Sequence, residues 1–219
     1  IIVHTSVINF ISVKKEMELK ISNQTNINIV AVSKTFEISK IIPLVDHGHI
    51  HFGENKVQES VNKWKDIKLS NNNIQLHMIG KLQTNKVKQA ILHFDYIHSL
   101  DNIKLAKKIS SEQKKNNRNL KIFIQVNIGH EKQKNGILPS DVKSFYSECL
   151  NDLNLDIIGL MCIPPQHGNV EEYFNEMNII NKSLGLKELS MGMSSDYIKA
   201  INHGATFLRI GSKIFGSRV

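Results

Sequence analysis

The chain has 219 residues, of which 41% are hydrophobic and 22% charged, and a net charge of +8. That length suits one domain around one large core, and no apolar run approaches the length that a bilayer span needs. The positive charge sits on dispersed lysines, and only Arg118, Arg209 and Arg218 offer the planar fork that base and phosphate readers favour, so specific nucleic-acid binding is not expected.

Taken in order, residues 1–13 are apolar but interrupted by His4, Thr5, Ser6, Asn9 and Ser12. No positive segment precedes them, so a cleaved signal peptide is not expected. The missing initiator Met suggests that the numbering starts inside a longer reading frame or in a processed product. Residues 8–21 supply a helix. A β-like run at 27–33 follows, then Ile38, Ile41, Ile42 and Val45 at helical spacing. A run at 49–52 leads to a helix with Val57, Val61 and Trp64 on one face. After a run at 75–79, Thr84 is placed to cap a helix burying Val87, Ala90 and Ile91. After the run at 94–100, Asp101 is placed to cap the next helix.

The run at 120–126 is dense in β-branched and aromatic residues and reads as fully buried. Pro139-Ser140-Asp141 opens a helix with Val142, Phe145, Tyr146 and Cys149 on one stripe. The run at 155–163 stops at Pro164-Pro165, and Val170, Tyr173, Phe174, Met177, Ile180 and Leu184 trace a long amphipathic helix. Runs at 189–193 and 206–210 flank a short helix at 195–203. Eight strands alternating with helices predict a (β/α)8 barrel, with an open doubly wound sheet as the alternative. That alternative expects a glycine fingerprint after its first strand, where Ser33-Lys34-Thr35 stands instead. Residues 1–219 are read as a single domain, with 1–26 as an N-terminal helix on the barrel and 27–216 as the barrel proper.

Function in such barrels gathers at the C-terminal strand ends. These carry Lys34, Glu54-Asn55, Gly80, Ser99, Asn127, Ser194 and the segment from Arg209 to Ser212. A lone lysine there is ordinarily a surface charge, but a dry, cation-rich mouth would lower its pKa and let it form a Schiff base. Arg209 interrupts an apolar strand and needs a partner if it points inward. Gly211 lets a backbone approach, and Ser212 is placed to cap a short helix. With Met191-Gly192-Met193-Ser194 on the preceding strand, these residues read as a phosphate cup. A Schiff-base lysine with a phosphate cup suits pyridoxal 5′-phosphate or a sugar phosphate. The sugar-phosphate reading would place its lysine on a middle strand among carboxylates, and here Glu54 is the only acid at a strand end.

Cys149 and Cys162 have no partner spacing, which suits a reducing compartment without disulfides or zinc. His47-Gly48-His49-Ile50-His51 lacks a carboxylate or cysteine at ligand spacing and reads as a polar loop, with no metal expected.

Ala31-Val32-Ser33-Lys34-Thr35, Phe52-Gly53-Glu54-Asn55, His77-Met78-Ile79-Gly80 and Ile97-His98-Ser99-Leu100-Asp101 stand in a telling order. Gln125-Val126-Asn127, Gly159-Leu160-Met161, Leu189-Ser190-Met191-Gly192-Met193-Ser194 and Arg209-Ile210-Gly211 continue it. By these motifs residues 29–216 resemble the pyridoxal phosphate homeostasis proteins (YggS/PROSC-like), whose barrel is similar to the N-terminal domain of alanine racemase. The resemblance implies pyridoxal 5′-phosphate as cofactor, held as an internal aldimine on Lys34. It places Asn55 near the ring, Arg209 at the ring nitrogen, and Ser194, Gly211 and Ser212 on the phosphate, with the backbone around Gly192 and Met193 close by.

It also implies a non-catalytic role in vitamin B6 and amino-acid homeostasis, and a PLP-dependent racemase-like enzyme is the alternative. Alanine racemase adds a second domain and a tyrosine base, for which no room is expected after Val219. The expected partners are the coenzyme and, transiently, apoenzymes that require it, in a cytoplasmic monomer with no membrane contact. The loop at 131–136 offers Lys132 and Lys134 as candidate acceptors of released coenzyme, against a reading as solvated lysines. Lys56, Leu76, Lys81 and Ser212 depart from the family pattern, which bears on the mouth at strands two and three.

Overall fold

The computed structural model describes residues 4–20 and 26–217. Helix α1 (Thr5–Lys20) precedes β1 (Asn28–Val32), α2 (Ile38–Asp46), β2 (His51–Glu54), α3 (Val57–Ser70) and β3 (Gln75–Met78). Then come α4 (Val87–His93), β4 (Tyr96–Leu100), α5 (Ile103–Asn116), β5 (Lys121–Val126), α6 (Val142–Asn151) and β6 (Ile157–Cys162). The chain continues through α7 (Val170–Ser183), β7 (Glu188–Ser190), α8 (Tyr197–Asn202), β8 (Phe207–Ile210) and α9 (Ser212–Phe215). Each strand pairs in parallel with the next, and β8 pairs with β1, so the sheet closes as the expected (β/α)8 barrel.

Strand alternation sorts the side chains between two cores. Ile29 and Ala31 of β1 face outward into the shell that buries Trp64, Phe174 and Met177 beneath the helices. Val30 faces inward with Tyr96, Phe123, Met161 and Phe207. A large outer-shell side chain such as Leu44 or Phe174 contributes about 1.5–3 kcal/mol by leaving water.

Several element ends differ from the sequence reading, each for a local reason. Asn102, not Asp101, caps α5, because its side chain accepts from the Leu105 amide at 2.9 Å. Thr84 caps nothing; it begins a 3-10 turn, Thr84–Lys86, that runs into α4. Gly211 is the N-cap of α9, and Ser212 is its first helical residue. β5 is not wholly buried, since Lys121 is exposed at its start and Gln125 half-buried near its end. His51 belongs to β2 and not to a polar loop. Ile21, the predicted last residue of α1, lies outside the described residues.

The β1–β8 register sets Val30 beside Arg209 and Ala31 beside Ile210. Continued upward, it brings Val32 against Gly211, where a Cβ would stand 3.3 Å from the valine Cβ. Closure of the barrel therefore places the end of β1 next to the segment that follows β8. That segment is braced from outside by α1. Asn9 donates to the Ile214 carbonyl at 3.0 Å, and Glu16 accepts from Lys213 at 2.7 Å and from the Tyr197 hydroxyl.

Candidate functional site

A cavity of about 680 Å³ opens at the C-terminal ends of the strands. Lys34 lines it two residues beyond Val32, on the inward parity of β1. The backbone on either side of Lys34 is clamped. Ser33 donates its hydroxyl to Glu54 Oε1 at 2.7 Å, and its carbonyl accepts from Lys63 at 2.9 Å. The Thr35 amide donates to Glu59 at 2.8 Å, and Thr35 takes a left-handed φ of 66°. That conformation costs about 1–2 kcal/mol outside glycine, so the contacts around it must hold it. Burial pushes the Glu59 carboxyl up, but the Thr35 amide and Lys63 outweigh it and hold the group below its ordinary value.

Glu54 points outward, away from the cavity. It is fully buried, and its Oε1 accepts from Ser33, from Lys63 at 3.0 Å and from the Trp64 indole at 2.9 Å. Its role is to fasten β1 and β2 to α3, so it supplies no acid to the mouth.

Across the cavity Arg209 is 5% exposed. Its Nη1 donates to the Ser190 hydroxyl at 2.7 Å and its Nη2 to the Cys162 carbonyl at 2.8 Å. Burial lowers its pKa, yet a guanidinium stays charged at neutral pH. Among the described residues no carboxylate pairs with it. A buried cation without an acid is costly unless an anion or an electron-rich ligand meets it.

Beside Arg209, the turn after β7 brings Met193, Ser194 and Ser195 to the wall, and the chain after β8 brings Gly211 and Ser212. The two segments are tied together, since the Lys213 amide donates to Ser194 Oγ at 3.3 Å. The Met193 amide donates to Asp196 at 2.7 Å and fixes the turn. Three hydroxyls and a glycine thus converge on one corner, a donor set that suits a phosphate group.

Of the residues expected at the site, Lys34, Asn55, Met193, Ser194, Arg209, Gly211 and Ser212 line the cavity. Gly192 does not. It takes a φ of 97°, and a Cβ there would press on Ala200, so it shapes the turn from behind. Ser99 and Asn127, also at strand ends, are buried away from the cavity. Asn127 closes the following loop by bonding to the backbone of Glu131 at 2.9 and 3.1 Å. Gly80 joins the wall because a Cβ there would collide with the backbone of Asn55.

Sequence reasoning did not assign Val32, Ile79, Lys81, Gln125, Asn135, Ile163 and Ser195 to the site, and these complete the wall. Gln125, an amide in a strand that is apolar after Lys121, and Lys81, a departure from the family pattern that bears on the mouth, carried readable signals. Neither Lys132 nor Lys134 lines the cavity. Lys134 pairs with Glu131 at 2.5 Å, and Lys132 is exposed. Cys149 and Cys162 are free and buried, and burial pushes each thiol up to about 12. No helix among the described residues is long and apolar enough to cross a membrane.

Comparison with known proteins adds to this geometry. A profile described as alanine racemase, N-terminal domain, matches residues 16–219. The chain is 35% identical over 206 residues to the pyridoxal phosphate homeostasis protein of Haemophilus influenzae, covering 90% of this chain and 87% of that one. It is 38% identical over 199 residues to the protein of the same name from Aquifex aeolicus, covering 87% and 86%. Among solved structures, PipY of Synechococcus elongatus with PLP bound superposes with a TM-score of 0.86 at 30% identity, covering 96% of this chain and all of that one.

Proposed function

The chain belongs to the alanine racemase N-terminal domain family and, within it, to the pyridoxal phosphate homeostasis proteins, and from that premise we propose that its cavity holds pyridoxal 5′-phosphate as a Schiff base on Lys34. One observation carries the proposal: a lysine, a buried guanidinium without an acid and a cup of hydroxyls border a single cavity of small-molecule size. Lys34 would hold the coenzyme through its amine, the coenzyme supplying the aldehyde and one water leaving. Ser194, Gly211 and Ser212 take the phosphate with the backbone of Met193 beside them, while Gly192 supports the turn. Asn55, set by its contact with Gly80, borders the ring.

Arg209 is assigned to the ring nitrogen. A donor that never gives up its proton leaves that nitrogen unprotonated, and such a ring is a weaker electron sink than a pyridinium. The role proposed is therefore binding and release of the coenzyme, in support of vitamin B6 and amino-acid homeostasis and of apoenzymes that need it. Racemisation would require two placed acid/base groups. Among the described residues, the titratable side chains on the cavity wall are Lys34, Lys81 and Arg209. Lys81 is the group on which a racemase-like reading would depend.

Titration of the protein with the coenzyme, followed in the visible, tests the proposal. Wild type should develop a band that Lys34→Ala lacks, and the loaded protein should exchange no amino-acid α-protons at enzyme-like turnover. Sustained exchange that disappears in Lys81→Ala would favour the racemase-like reading instead.

A further inference from the structure

Below the cavity, polar side chains from five strands form an unbroken line of hydrogen bonds through the barrel. Arg209 on β8 donates to Ser190 Oγ on β7, which lies 2.7 Å from His98 Nδ1 on β4. His98 Nε2 lies 2.8 Å from His77 Nδ1 on β3, and His77 Nε2 lies 2.9 Å from His51 Nδ1 on β2. Ser190, His98 and His77 are fully buried. His51 is half-buried and borders a second cavity, about 570 Å³ in volume, at the N-terminal ends of the strands beside Asn28, Lys121 and Glu188.

Arg209 dictates the direction of the whole line. A guanidinium only donates, so Ser190 Oγ must accept from it. The other hydrogen-bond partner of that hydroxyl among the described residues is His98 Nδ1, so the buried serine proton is satisfied only if His98 Nδ1 accepts it. His98 is left with its proton on Nε2, which it donates to His77 Nδ1. The same logic puts the His77 proton on Nε2, donated to His51 Nδ1. A charged imidazole at His98 or His77 would make His98 Nδ1 a donor to Ser190 Oγ and leave the buried serine proton without an acceptor among the described residues.

We propose that Ser190, His98, His77 and His51 form a one-directional hydrogen-bond wire whose tautomers are set by Arg209, and that His98 and His77 are in return positioning residues that hold the Arg209 guanidinium toward the cavity. The rings have little freedom to reorient. His77 stacks on Tyr96 with centroids 4.1 Å apart, and His98 stacks on Phe123 at 4.4 Å. Burial, with the neighbouring imidazoles and Arg209, holds both well below the ordinary histidine pKa, so both stay neutral. The charged groups that influence the line are Arg209 at one end and, around His51, Lys121 and Asp95 at the other. The consequence for the coenzyme rests on the assignment of Arg209 to the ring nitrogen.

The test has two arms on the full chain. Nitrogen-15 NMR of histidine-labelled protein without coenzyme should find His77 and His98 neutral, with the proton on Nε2, from about pH 5 to pH 8, where an ordinary histidine titrates. Ser190→Ala should leave mixed tautomers at both rings, and Ser190→Thr, which keeps the hydroxyl, should restore one. Protons on Nδ1 in wild type, titration in that range, or tautomers unmoved by Ser190→Ala would overturn the wire.

In the second arm His77→Phe, which keeps the stack on Tyr96 but breaks the line outside the cavity, should shift the visible band of bound pyridoxal phosphate. An unshifted band would overturn the positioning role. A wild-type protein that forms no band would overturn the cofactor reading alone, because the tautomers still decide the wire.

Discussion

The guanidinium of Arg209 donates to the Ser190 hydroxyl at 2.7 Å across the β7–β8 pair, inside a barrel that offers it no carboxylate among the described residues. A cation held by neutral acceptors keeps its remaining donors for a ligand. Arg209→Ala should therefore leave the visible band of the Lys34 adduct formed but displaced, with coenzyme affinity lower by roughly tenfold or more, as expected for the loss of a charge-assisted hydrogen bond. Absorbance titration of the variant checks this, and an unchanged spectrum would place Arg209 away from the ring.

Glu54 makes a different claim. It is fully buried, and beside it Lys63 is 9% exposed. Removing Glu54 takes from Lys63 one of its two carboxylates, Glu59 remaining at 3.3 Å, and strips the buried Trp64 indole of its acceptor and the Ser33 hydroxyl of its shorter one. Glu54→Ala should cost about 3 kcal/mol of stability, seen in urea as a lower midpoint with an unchanged slope. Because the same carboxylate fastens Ser33 beside Lys34, the variant should also bind coenzyme more weakly.

These two residues also show what the sequence could and could not convey. The alternation of runs and helical stripes gave away the barrel, and local order gave away Lys34 and the hydroxyl cup, because each lies beside its own strand end. Glu54 read as a strand-end acid. A shift of one residue in strand parity turns its side chain away from the mouth, and no motif states that parity. Gly192 takes a positive φ in the turn behind the wall, a backbone conformation that the motif around it does not state. The line from His51 to Ser190 joins residues as far apart as 92 positions in sequence, and only closure of the barrel brings them together.

The brace between α1 and the segment after β8 gives a pH dependence. Hydrogen bonds from Lys213, Tyr197 and Lys20 lower the Glu16 pKa from 4.5 to about 2. A depressed carboxyl stabilises the fold above its ordinary pKa, and that contribution disappears as pH falls through the folded value. The difference in melting temperature between wild type and Glu16→Gln should therefore be full near neutral pH and shrink from about 4.5 toward about 2. A difference that stays constant over that interval would mean the brace does not act through the charge of Glu16.

The most direct measurement is borohydride reduction of the coenzyme-loaded protein followed by peptide mapping. Reduction makes the imine linkage permanent and marks the lysine that carries it. A phosphopyridoxyl group is expected on Lys34, with none on Lys81, Lys132 or Lys134 at stoichiometric loading. A label on any other lysine, with Lys34 unmodified, would contradict that assignment.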